Sequence, residues 1–73
     1  MNEELKTMLV EGLKIQMEPM VTELWKLMAS VLQQLEETGM EFDEALDAAF
    51  NIMLQGVIEL AQETDFETLL EEV

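Results

Sequence analysis

Few residues in this chain could do chemistry. Charge is carried by 17 Asp and Glu and by three lysines (Lys6, Lys14, Lys26), for a formal net charge of −14, and there is no Arg, His, Cys or Tyr. Without His, the usual general base and the commonest metal ligand are missing, and a Ser-His-acid arrangement is impossible. Without Cys, there is no disulfide, thiolate nucleophile or Cys-based zinc site. The one serine, Ser30, lies between Ala29 and Val31 in a helical pattern and reads as a small helix-face residue. The acids Glu36/Glu37, Glu63/Asp65/Glu67 and Glu71/Glu72 could touch a hard cation, but they form neither a D-x-[DN]-x-[DN]-G loop nor a Glu-x-x-His pair. They read as solvated surface. No catalytic residue, metal or cofactor is therefore expected, and the chain is read as a non-enzyme. A negative field without Arg also argues against direct binding of nucleic acid.

The charge is unevenly placed. Residues 1–35 carry five acids and all three lysines, whereas residues 36–73 carry twelve acids and no base. An anionic half of this kind either keeps an apolar helical protein soluble or docks a basic partner by electrostatic steering. High charge signals disorder only when hydrophobicity is low, and here 49% of residues are hydrophobic. The longest uncharged run, Ala48 to Ile58, is far short of the ~18–20 apolar residues of a membrane span. The acidic start Met1-Asn2-Glu3-Glu4 lacks the basic region of a signal peptide. The expectation is a cytoplasmic protein, repelled by anionic membranes.

The elements that must position these charges are helical. No stretch alternates apolar and polar residues as a half-buried strand would, and the interior is rich in Leu, Met, Glu, Ala and Gln. A first helical segment runs from Asn2 or Glu3 to Met17, with Asn2 as N-cap and Gly12 as a weak point that marks a candidate close crossing. A second runs from Pro19 to Glu37 and closes at Thr38-Gly39. Either the two join as one helix kinked at Pro19, or they form a hairpin with Pro19 in a first turn. No Gly, Asn, Asp or Ser between Lys14 and Val21 is present to build a turn, which favours the single kinked helix.

Met17, Val21, Leu24, Met28, Val31 and Leu35 are spaced 4, 3, 4, 3, 4, a heptad seam suited to near-parallel helix packing. Met20, Trp25, Leu27 and Leu32 widen it on both sides. The next helix spans Phe42 to Gln62. At 100° per residue, Glu44, Asp47, Asn51, Gln55, Glu59 and Gln62 fall in an arc of about 120°. Most of the remaining circumference is apolar, and Ala45, Ala49, Ile52 and Gly56 form a ridge of small residues for close approach. A last short helix begins at Thr64 or Asp65, with Glu67 completing a capping pattern from Thr64. Its Phe66, Leu69, Leu70 and Val73 are expected to fold back onto the bundle. The segment Thr64-Asp65-Phe66-Glu67-Thr68-Leu69-Leu70 resembles the last helix of acyl carrier proteins over about ten residues. That family attaches its prosthetic arm to a serine in an Asp-Ser-Leu motif, which this sequence does not contain.

The expected architecture is a single all-α domain over residues 1–73, a small bundle of three to four helices completed by homo-oligomerisation. Two or three short helices cannot cover apolar faces this wide, so a dimer is the default partner arrangement. The expected oligomer interface comprises Met17, Val21, Leu24, Trp25, Met28, Val31, Leu35, Phe50, Met53 and Val57. The expected acidic docking face comprises Glu44, Asp47, Glu59, Glu63, Glu67 and Glu71. In function this points to a small acidic regulator or adaptor that binds a basic protein surface. One alternative is a nucleic-acid mimic that inhibits a DNA- or RNA-binding protein, of the phage or mobile-element type; another is a purely structural oligomeric scaffold.

Overall fold

A computed structural model describes residues 2–73, and all of its regular structure among these residues is helical. The elements are α1 (Glu3–Glu37), α2 (Phe42–Gln62) and α3 (Phe66–Glu72). Their ends follow from local chemistry. The Asn2 side chain accepts hydrogen bonds from the Glu4 and Leu5 backbone N–H groups at 2.7 and 3.3 Å, satisfying donors that a helix start leaves open. Glu3 and Glu4 lie in the first turn, where the helix dipole favours negative charge. At the other end the Thr38 hydroxyl donates to the Leu35 carbonyl at 2.6 Å. Gly39 then takes φ +101°, a left-handed conformation that glycine adopts without steric cost.

Pro19 lies inside α1. Of the two geometries open at that residue, the continuous helix is the one formed, because no turn-building residue competes with helix on either side. α1 has 35 residues and α2 has 21, lengths of about 52 and 31 Å at ~1.5 Å per residue. α2 returns from the 38–41 turn and packs against α1, the only pair of elements in contact among the described residues. It is too short to cover α1 from end to end. On α1, Val21, Met28, Val31, Leu32 and Leu35 are half-buried, whereas every described residue before Val21 is exposed.

The core is very small. Ala45 and Ala49 are the only fully buried residues described. They form the first half of the expected small-residue ridge, and here the two helices come close. Ile52 remains 48% exposed, and a Cβ added at Gly56 would meet nothing within 4 Å. The close approach therefore stops after one helical turn. Gly12 likewise has open space around it, so it does not mark a crossing within the chain.

α3 differs from expectation. Its cap is Asp65, which accepts from the Thr68 N–H at 3.2 Å and from the Thr68 hydroxyl at 2.7 Å. The Thr64 hydroxyl donates backwards to the Leu60 carbonyl at 2.7 Å, so the Thr64–Glu67 capping pattern is not used. α3 packs against neither α1 nor α2. Phe66, Leu69, Leu70 and Val73 stay exposed at 59, 45, 74 and 103%, and their expected return to the bundle does not occur.

The radius of gyration is 15.8 Å, against about 11 Å for a compact domain of this length. The accessible surface is 6509 Å², about 1,900 Å² above the ~4,600 Å² expected of a folded monomer of this mass.

Candidate functional site

Two surfaces are candidates for function: the apolar faces left open on α1 and α2, and the carboxylates of α2 and α3. The heptad seam of α1 is divided between inside and outside. Its members Val21, Met28, Val31 and Leu35 are half-buried, as is Met53 of α2. Because α2 is the only element packed on α1, these residues mark the strip it covers. The other expected interface residues, Met17, Leu24, Trp25, Phe50 and Val57, are exposed at 37–47%.

Trp25 of α1 and Phe50 of α2 line the same groove. Met28, Leu46, Asp43 and Asp47 complete this open groove of about 480 Å³ between α1 and α2. Asp43 and Asp47 lie one turn apart on α2, so its apolar floor has carboxylates on the α2 side. A second shallow groove runs down α1 from Trp25 and Val21 to Met17, Ile15, Lys14 and Glu11. Trp25 belongs to both grooves and joins the covered and bare halves of α1.

The apolar surface also includes residues outside the heptad seam. Leu9, Leu13, Met20 and Leu27 are exposed at 57, 55, 64 and 65%. At 100° per residue they lie with Leu24 and Val31 on a stripe roughly a quarter-turn from the strip under α2. Their spacing alone could have identified them. The neighbouring seam overlaps the stripe at Leu24 and Val31 and obscures it when only one face is sought.

The expected acidic face divides along element lines. Glu44, Asp47 and Glu59 lie on the polar strip of α2, Glu63 is the α2 C-cap, and Glu67 and Glu71 lie on α3. All six are exposed. Hydrogen bonds tie the α2 strip along its length. Asn51 Nδ2 donates to the Asp47 carbonyl at 2.9 Å, and Gln55 Nε2 donates to Glu59 Oε2 at 2.9 Å. Asp65 has a resolved shift: the Thr68 hydroxyl foremost, then the Thr68 N–H, hold its carboxyl below the usual value of 3.8 against a small opposing effect of desolvation.

The cations add little to this surface. Among the described residues, Lys14 pairs with Glu11 at 3.5 Å and Lys26 with Glu23 at 3.3 Å, while Lys6 belongs to neither pair. Both pairs are well exposed and contribute at most a few tenths of a kcal/mol each. No group of three or more carboxylates among the described residues converges as a metal site would require. No helix of the described residues is long and apolar enough to cross a membrane.

No protein-family model matches this chain, and no curated protein or solved structure matches it either.

Proposed function

We propose that this protein is a non-enzymatic interaction module: a homo-oligomer that buries its open apolar faces and presents its carboxylates to a basic protein surface. The observation that carries this reading is the accessible surface of 6509 Å² around a core of two fully buried alanines. Burial of apolar area contributes about 25 cal/mol per Å² and is the main favourable term in folding. A chain that leaves Leu5, Leu9, Leu13, Met20 and Leu27 in water has part of that term still to gain, and association supplies it.

The acidic part of the reading rests on placement. The carboxylates of α2 are all exposed, and twelve acids without a base follow Leu35. A partner rich in Lys and Arg would be steered to such a field, with an on-rate that falls as salt rises. Sedimentation velocity at tens of micromolar, followed by capture of partners from the native host at graded salt, tests both parts. The expected result is an oligomer that retains a basic protein at low salt and releases it at high salt. A monomer, or retention independent of salt, contradicts the reading. Competition by duplex DNA for the captured partner would identify the nucleic-acid-mimic form of the same function.

A further inference from the structure

Resting on the homo-oligomer reading above, we propose that the occupant of the bare α1 face is a second copy of this chain, packed antiparallel about a two-fold axis beside Met20. The stripe Leu9, Leu13, Gln16, Met20, Leu24, Leu27 and Val31 is spaced 4, 3, 4, 4, 3, 4, which reads the same from either end. Turning a second α1 end for end about Met20 sets Leu9 against the partner's Val31, Leu13 against the partner's Leu27, and Gln16 against the partner's Leu24. Met20 meets its own symmetry mate. Every stripe residue then faces another stripe residue, as the self-complementary patch of a two-fold interface requires.

Helix lengths favour the same arrangement. α2 covers only the second half of α1, and all described residues before Val21 are exposed. The two-fold places the partner's α2 beside that bare half, on the side where Val10, Leu13 and Met17 open to solvent. Two hairpins interlocked in this way put an α2 helix beside the paired α1 helices along most of their length. A parallel pair would leave both first halves without a second layer.

Charge and area agree. The first half of α1 carries Glu3, Glu4, Glu11 and Glu18 beside Lys6 and Lys14, whereas its far end and the turn into α2 carry Glu36, Glu37, Glu41, Asp43 and Glu44 with no lysine. Antiparallel packing sets Glu3 and Glu4 near the partner's Glu37 and the partner's Glu36 but brings Lys6 to the same end, whereas parallel packing would bring the two lysine-free acidic ends together. The surface excess of about 1,900 Å² per chain relative to a compact monomer is of the size that an obligate homodimer interface of ~2,000–5,000 Å² in total removes.

The absence of native Cys makes site-specific cross-linking a direct test. A disulfide needs Cα atoms within about 7 Å. In the proposed dimer only positions near the axis meet their own symmetry mates, and the two Leu9 positions stand about 33 Å apart along the helices. With oxidised glutathione, Met20→Cys is expected to give a disulfide-linked dimer. Leu9→Cys and Thr22→Cys, the latter on the opposite side of the helix near the same height, are expected to stay unlinked. Mixing Leu9→Cys with Val31→Cys is expected to yield the hetero-linked product. Self-linking of Leu9→Cys, or equal linking of Met20→Cys and Thr22→Cys, overturns the antiparallel arrangement while leaving an oligomer in place. Sedimentation of the unmodified chain as a monomer at tens of micromolar overturns the oligomer itself. All four positions are at least partly exposed in the single chain, and circular dichroism of each variant checks that its helices persist.

Discussion

Ala45 and Ala49 stand one turn apart on α2, both with zero solvent exposure, and together they fix how closely α1 and α2 approach. A larger side chain at either position must push the helices apart or move into a poor rotamer. Ala49→Leu is therefore expected to destabilise the hairpin by about 1–3 kcal/mol, the usual cost of overpacking. For a domain of this size each kcal/mol lowers the thermal midpoint by roughly 4–8 °C. Ala61→Leu, at an exposed position of the same helix, should stay within about 0.5 kcal/mol of the parent. Equal midpoints for the two variants would show that the helices do not meet at Ala49.

Gly12 provides the opposite case. A Cβ built there meets nothing within 4 Å, so Gly12→Ala adds no clash within the chain. Glycine in mid-helix costs about 0.5–1 kcal/mol relative to alanine. Replacing it should raise stability by about that amount, read as a higher urea midpoint at unchanged slope. A lower midpoint would mean that a partner helix approaches Gly12 closely in the assembly.

α3 depends on its cap, because it packs on no other element. Hydrogen bonds from Thr68 hold the Asp65 carboxyl below its ordinary value of 3.8. A depressed folded-state value contributes stability that is present above the unfolded value and is lost as pH falls through the folded one. Helical Cα shifts of residues 66–72 are accordingly expected to weaken as pH falls below the ordinary carboxyl value of 3.8, before those of α1 and α2. Asp65→Asn removes the charge while keeping an oxygen acceptor, and it should flatten that pH dependence. An α3 that melts in step with the helix pair would show that something else holds it.

Much of this fold was legible in the sequence because it is decided locally. Asn2, the Thr38-Gly39 pair and the Phe42–Gln62 periodicity act within a few residues of themselves, and the helix ends fall where they indicate. Continuity through Pro19 follows from the same logic, since nothing nearby could build a turn. Contacts between elements were less legible. Periodicity shows that Phe66, Leu69 and Leu70 share an apolar side, but not what that side meets. The ridge Ala45-Ala49-Ile52-Gly56 looks uniform in residue size, yet the close approach ends after Ala49 because that depends on the relative course of the two helices. At the candidate site, the exposure of the six carboxylates was legible from charge and helical phase. The stripe through Met20 was hidden by the heptad seam beside it.

Salt should act on this protein with two opposite signs. Copies carrying a net charge of −14 each repel one another, and a basic partner is attracted by the same field. Raising ionic strength from about 0.01 to 0.15 M shortens the screening length from ~30 to ~8 Å, which removes most of the long-range part of both effects. Self-association buries apolar area that salt does not screen, so only its opposing repulsion is reduced. The dimer dissociation constant and the urea-sensitivity of the assembly should both fall over this range. Binding to a basic surface gains its attraction from the charges being screened, so its association rate should fall with little change in dissociation rate. Sedimentation equilibrium across the salt series reads the first effect, and surface-immobilised kinetics with an isolated basic partner reads the second. A urea midpoint that drops with moderate salt would mean that charge pairs, rather than apolar burial, hold the copies together.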